Sequence, residues 1–408
     1  MERSSEGHTV ITVLRLSCSA AITKIDRVRH SLLLWVGCAI AVTAGTGCLP
    51  QSRPGPSVAV RMLDTVWYVS ARVRDQGRVT RRLADSLEFG FVVSEVRADG
   101  DPLRSKLRIA LRDSVQLTRL AFVASIRARA RSVSAVDPVV VMYVHGFGTG
   151  QDEVWKHVTQ SYARSQSRVP WVVFSWPSRG LGVAWPRAGE IFSRAYWDDL
   201  ESAMLSRPAF VAGLHALVDA VGSPRVMLVA HSLGAYLTSE ALTSDDSLRQ
   251  RLTAEPLRAV AFFAPDVDAK LFQNVFVPAL QSLTPRLVLY ASDHDRILLA
   301  SKRINNGERA GLISGSPRMP IIRERLESID VTAGVVAAGF FKRVFGSHHG
   351  LSRSSAALFD LMQIVARKFP AECRATLGTA KRNVGGYWKL TSLAPLSPDA
   401  VAACTNPP

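Results

Sequence analysis

From residue 139 onward, short apolar and β-branched runs alternate with longer stretches of helical periodicity. Six runs predict strands: 139–144 (VVVMYV), 171–175 (WVVFS), 225–230 (RVMLVA), 257–264 (LRAVAFFA), 286–291 (RLVLYA) and 327–331 (ESIDV). Helices are predicted over 152–166, 197–221, 233–243 and 354–368. Most of the strands are apolar at nearly every position, not at every second one. A sheet built from them is covered on both faces, which requires parallel strands joined by helices. The predicted fold class is therefore α/β, a mostly parallel, doubly wound sheet whose active site collects at the carboxyl ends of the strands.

Upstream the pattern weakens. Segments 65–73 and 87–97 read as strands, and the Arg-rich stretch 112–131 fits either helix or strand. These predict extra strands at the sheet edge, not an independent domain. After residue 370 the patterning fades, and 371–408 is set apart as a C-terminal tail.

The amino-terminal segment carries an address. Residues 32–44 (LLLWVGCAIAVTA) form an apolar run the length of a signal-peptide core, too short to span a membrane, and Lys24, Arg27, Arg29 and His30 precede it. Gly45, Thr46 and Gly47 then lead to Cys48. Small residues before a cysteine at this place resemble the lipobox of bacterial lipoproteins, although Gly45 stands where that pattern has Leu. The resemblance implies cleavage before Cys48 and a lipid on its sulfur, hence a membrane-anchored envelope protein. A plain cleaved leader, giving a secreted or periplasmic protein, is the alternative. The first 27 residues are long and polar for a leader, so initiation near Val28 is expected. The expected organisation is an export segment (1–48), a Pro-rich tether (49–57, LPQSRPGPS), one catalytic domain (58–370) and the tail.

Composition changes this picture in two places. The net charge of +16 suggests nucleic acid or a membrane surface, but the cations are 41 arginines and nine lysines scattered along the chain. Scatter of this kind fits a codon bias toward Arg, and no basic stripe, finger spacing or P-loop accompanies it, so no nucleic-acid partner is expected. The five cysteines (Cys18, Cys38, Cys48, Cys373 and Cys404) contain no C-x-x-C pair. Processing at Cys48 leaves Cys373 and Cys404, which are expected to form a disulfide in an oxidising compartment.

The candidate chemistry follows the strands. AHSLG (Ala230–Gly234) sits between RVMLVA and a helical pattern, the strand–turn–helix context of a nucleophile elbow. Ser232 is the expected nucleophile, and Ala230 and Gly234 supply the small residues the tight turn needs. His231, in the variable position, is expected to be structural. After VVVMYV comes HGFGTG (His145–Gly150), a bare turn beside the elbow. The backbone amides of Phe147 and Leu233 are the expected oxyanion donors. A serine nucleophile needs an imidazole base held by a carboxylate, in the chain order Ser, acid, His. The loop after RLVLYA provides Asp295, with Asp293 as alternative, and Asp266 and Asp268 after the preceding strand form a further option. After the last predicted strand stand only His348 and His349; His349 is favoured as base, with His348 open. No metal or cofactor is expected.

Taken together, YVHGFGTG (143–150), VVFSWPSRG (172–180), AHSLGAYLTSEAL (230–242), FFAPDVDAKLF (262–272), LVLYASDHDRILLASKRINNGERAG (287–311) and IDVT with HHGLSRSSAALFDL (329–361) resemble the α/β-hydrolases grouped as domain of unknown function 900, described as esterase/lipase-superfamily enzymes. The resemblance implies an α/β-hydrolase fold, aligns the family acid with Asp295, and implies hydrolysis of a small-molecule or lipid ester. Gly350 and Leu351 follow His349 where the family has a small residue and an aromatic. Trp176, Pro177 and Arg179 are expected to shape the rim beside the oxyanion turn. Acyl transfer by the same triad and a silent envelope scaffold are the rival readings. The oligomeric state is not encoded.

Overall fold

The computed structural model describes residues 59–76, 78–100, 106–165, 167–178, 189–335, 355–368, 371–376, 380–382 and 386–390. The chain divides into units 1–55 and 56–408, and all described residues belong to the second.

Strands β4 (Val140–Val144), β5 (Trp171–Ser175), β6 (Val226–His231), β7 (Ala259–Phe263) and β8 (Leu287–Ala291) are buried at every position. That is why they read as continuous apolar runs. With β9 (Leu326–Asp330) they form parallel ladders in the order β9-β8-β7-β6-β4-β5. The chain leaves β4 for β5 on one side and later returns to β6 on the other. The loops after β4 and β6 therefore open onto the switch point, where α/β sheets bind their ligands.

The upstream strands join the same sheet. β1 (Ala59–Asp75) pairs parallel with β5, and β2 (Arg78–Asp99) and β3 (Leu107–Leu117) follow it antiparallel. The ambiguous 112–131 stretch resolves at Thr118. Its side chain accepts the Ala121 amide at 3.2 Å and starts α1 (Arg119–Val133), so the stretch is strand before it and helix after it. The helix expected over 197–221 is two, α3 (Gly189–Leu205) and α4 (Arg207–Val221), bent by 50°. Pro208 cannot donate to the Met204 carbonyl, and Arg207 Nε serves that oxygen instead at 3.1 Å. At the opposite edge the tail is ordered farther than its pattern suggests: β11 (Trp388–Leu390) pairs parallel with β9, and β10 (Ala380–Arg382) pairs with β11. The boundary expected at 370 thus cuts through the sheet.

The sheet carries one core on each face. One packs against α1, α4 and α5 (Leu233–Ser244), the other against α2 (Gln151–Ser165) and the helix Ser355–Arg367. Tyr290 of β8, Asp360 and Arg374 form a buried chain, with Tyr290 Oη donating to Asp360 at 2.7 Å and Arg374 Nε at 2.9 Å. It ties the 355–367 helix to the sheet. Cys373 is disulfide-bonded, and its partner lies outside the described residues. Cys48 and Cys404 also lie outside them.

Candidate active site

Ser232 is the single residue between the end of β6 and the start of α5. Its backbone takes φ 55°, ψ −124°, a region L residues rarely enter and one that costs on the order of 1–3 kcal/mol. The strain is held from two sides. The Ser232 amide donates to the Phe263 carbonyl of β7 at 3.0 Å, and the Ser232 carbonyl accepts from Ala235 at 3.0 Å and Asp266 at 3.1 Å. A β-carbon on Gly234 would lie 2.3 Å from the His145 carbonyl oxygen and 2.7 Å from that of Val144, so the small residue is dictated by the end of β4. His231 is buried as the last residue of β6, in register with Phe263.

The His145–Gly150 turn lies against the elbow, with Gly146 touching Ser232. The His145 ring stacks on Trp176 (centroids 4.9 Å apart, planes 6° apart), and Trp176 Nε1 donates to the His145 carbonyl at 2.8 Å. Trp176 therefore does border this turn; Arg179 lies outside the described residues. Burial, aided by the Arg72 charge, holds the His145 imidazole far below its ordinary pKa, so it stays neutral, with Nδ1 3.0 Å from the Gly146 carbonyl. Phe147 is buried with its ring 5.7 Å from that of Tyr196. Leu233 is the first residue of α5, where an amide has no acceptor within its own helix.

Behind the turn is a polar cluster with no local sequence signature. Asp199 of α3 accepts from the Gly148 amide at 2.9 Å and the Ser178 hydroxyl at 2.5 Å, and Ser178 Oγ accepts the Thr149 amide at 3.0 Å. Arg72 of β1 spans the cluster, donating to Ser175 Oγ, the Ser178 carbonyl and the Thr149 carbonyl. Trp176 and Ser178 thus hold the His145–Gly150 turn. Only the approach of charged residues 127 positions apart identifies Arg72 and Asp199.

The carboxylates occupy distinct environments. Asp295 is fully buried and caps the helix Arg296–Ile304, its Oδ1 accepting from Ile297 and Leu298, each at 3.0 Å. Asp293 pairs with the exposed His294 at 2.6 Å. Asp266 accepts from Ser301 Oγ at 2.6 Å and faces Arg309 at 3.5 Å. Asp268 caps the turn at Ala269–Leu271, and Arg309 reaches it at 3.6 Å. Hence Asp266 bonds the elbow to the helix that Asp295 caps, through its amide on one side and its carboxylate on the other. His348 and His349 lie outside the described residues. The chain leads toward them from β9. There Val331 donates to the Ala291 carbonyl at 2.9 Å, and Thr332 Oγ1 accepts the Asp293 amide at 3.1 Å. Among the described residues no group of three or more His, Cys, Asp or Glu is placed to hold a metal.

The sequence profile of a family described as "alpha/beta hydrolase of unknown function (DUF900)" matches residues 129–338. The chain belongs to this family. The α/β-hydrolase fold agrees with the sheet order and with the elbow between β6 and α5. No curated protein sequence matches the chain. Among solved structures, this α/β-hydrolase is similar to an alpha-beta serine hydrolase homologue from Coxiella burnetii, at 15% identity, covering 55% of this chain and 85% of that one with a TM-score of 0.28. It is also similar to a hyperthermophilic esterase from the archaeon Pyrobaculum calidifontis (12% identity, 74% of this chain and 86% of that one, TM-score 0.28). A thermophilic carboxylesterase from a metagenomic library overlaps 60% of this chain and 97% of its own at 12% identity, with a TM-score of 0.26.

Proposed function

We propose that the protein is a serine hydrolase that cleaves carboxylic esters, and by the same chemistry thioesters or amides, through an acyl-enzyme. The observation that carries this reading is the left-handed backbone of Ser232 at the β6–α5 joint, pressed against the bare Gly146 turn. Such strain persists only where the surroundings impose it, and it clusters at active sites. β7 separates the strands bearing Ser232 and Asp295, so their loops stand about 10 Å apart, a span an imidazole can bridge.

In the proposed cycle His349, with His348 as alternative, takes the Ser232 proton as Oγ attacks the ester carbonyl. Asp295 orients the imidazole, and the amides of Phe147 and Leu233 hold the oxyanion. The carbonyl re-forms as the alkoxide leaves with the imidazole's proton. A water, deprotonated by the same imidazole, then releases the acid and returns the proton to Ser232. The deciding experiment is hydrolysis of p-nitrophenyl butyrate, with labelling by a fluorophosphonate, for wild type and Ser232→Ala. Turnover and labelling by wild type, with at least a 10³-fold loss in the variant, support the assignment; equal turnover in both overturns it. We further propose that Cys48 carries a lipid that anchors the enzyme to the cell envelope. Labelled palmitate should enter wild type and not Cys48→Ala.

A further inference from the structure

We propose that Arg72 and Asp199 form a buried clasp that sets the oxyanion turn, acting as positioning residues for the reaction assigned above to Ser232. The inference rests on that assignment and concerns the other side of the same turn. Gly146 meets Ser232 on one side. On the other, Asp199 Oδ2 takes the Gly148 amide and, through Ser178 Oγ, controls the Thr149 amide. Arg72 Nη2 takes the Thr149 carbonyl at 3.1 Å, Nη1 the Ser178 carbonyl at 3.0 Å, and Nε the Ser175 hydroxyl at 2.9 Å. Three distant elements, β1, the end of β5 and α3, therefore converge on the peptide planes directly after Phe147.

Arg72 is 3% exposed and Asp199 not at all. Burial lowers the Arg72 pKa to about 10 while Asp199 opposes the shift. Ions buried this deeply cost more than apolar residues of equal volume. What they supply in return is direction, since each planar donor and each carboxylate lone pair admits a narrow range of partner positions. Fixing Gly148 and Thr149 anchors the chain on the carboxyl side of Phe147, which restricts how the preceding Gly146–Phe147 peptide can tilt its amide toward the developing oxyanion. Misplacing a donor weakens transition-state binding more than substrate binding.

The test compares wild type with Asp199→Asn, Arg72→Lys and the milder Ser178→Ala. For each, kcat and KM on p-nitrophenyl butyrate and Ki for a trifluoromethyl ketone, which adds to the serine as an oxyanion, are measured. The clasp predicts a 10- to 100-fold fall in kcat for the first two, KM within about threefold, and Ki raised by the same factor as kcat falls. Ser178→Ala should show the same pattern at reduced size, and it decides the matter if the charged variants do not fold. Folded variants with unchanged kcat, or with kcat lowered while Ki stays fixed, overturn the clasp and leave the Ser232 reading intact. An inactive, unlabelled wild type overturns the Ser232 reading, and the clasp with it.

Discussion

A β-carbon built on Gly146 would sit 2.6 Å from the β-carbon of Ser232, with the His231 carbonyl oxygen 3.1 Å away. Neither neighbour is the free end of a flexible chain, so the turn itself must retreat. Gly146→Ala should therefore lower kcat/KM by about 10²–10³-fold, the scale of a lost oxyanion donor. In Gly234→Ala the clash is with two backbone oxygens. That change should lower stability by about 1–3 kcal/mol or more, read by urea denaturation.

Asp295 caps a helix and, in the proposed triad, orients the base; two substitutions divide these duties. Its Oδ1 caps the helix Arg296–Ile304, a task Asn performs as well as Asp. Asp295→Asn should keep wild-type stability and lose about 10⁴-fold in kcat, as expected when an imidazole loses its anionic orienter. Asp295→Ala should lose the same activity and also about 1 kcal/mol of stability. Equal activity in Asp295→Asn and wild type would transfer the acid's role to another carboxylate.

His145 makes stability depend on pH. Its folded pKa lies well below the ordinary 6.5 because burial opposes the charge. Below pH 6.5 the unfolded chain binds a proton that the folded chain refuses. The stabilisation is thus complete above that pH and is lost as pH falls toward the folded pKa, at up to about 1.4 kcal/mol per pH unit. Urea melts at pH 7.5, 6.5 and 5.5 should show this slope in wild type and a shallower one in His145→Asn.

Asp64 works in the opposite sense. Burial raises its pKa from 3.8 to about 6, with Arg129 pulling it down, and among the described residues Oδ2 has no hydrogen-bond partner. The folded chain holds this proton more tightly, so its contribution is full below pH 3.8 and lost as pH rises through 6. Asp64→Asn should gain about 1 kcal/mol at pH 7.5, an amount discounted for the solvent that reaches this half-buried site, and nothing at pH 4. Paired denaturation curves at the two pH values check the sign.

Legibility in the sequence tracks how local each feature is. Strands β4 to β8 are readable because burial on both faces confines polar residues to strand ends, Ser175 and His231, and leaves the run unblurred. The elbow is readable because strand, Ser232 and helix are contiguous. β1 and β2 show only their apolar middles, since their ends form an Arg-rich, exposed hairpin. The α3–α4 break at Ser206 is hidden within unbroken apolar periodicity and appears only through Pro208, which leaves the Met204 carbonyl to the Arg207 side chain. Arg72 and Asp199 leave no trace, because buried charges that grip one turn from distant segments follow no period. The three-residue strands β10 and β11 are too short to announce themselves.

Those last two strands have a practical consequence. They cover the outer rim of β9, the strand from which the chain departs toward His348 and His349. A recombinant product ending at 370 would present that rim as an open template for self-association. Expression trials designed around the motif-bearing region alone would then yield aggregates and be misread as an inactive enzyme, whereas a terminus beyond Leu390 keeps the rim sealed.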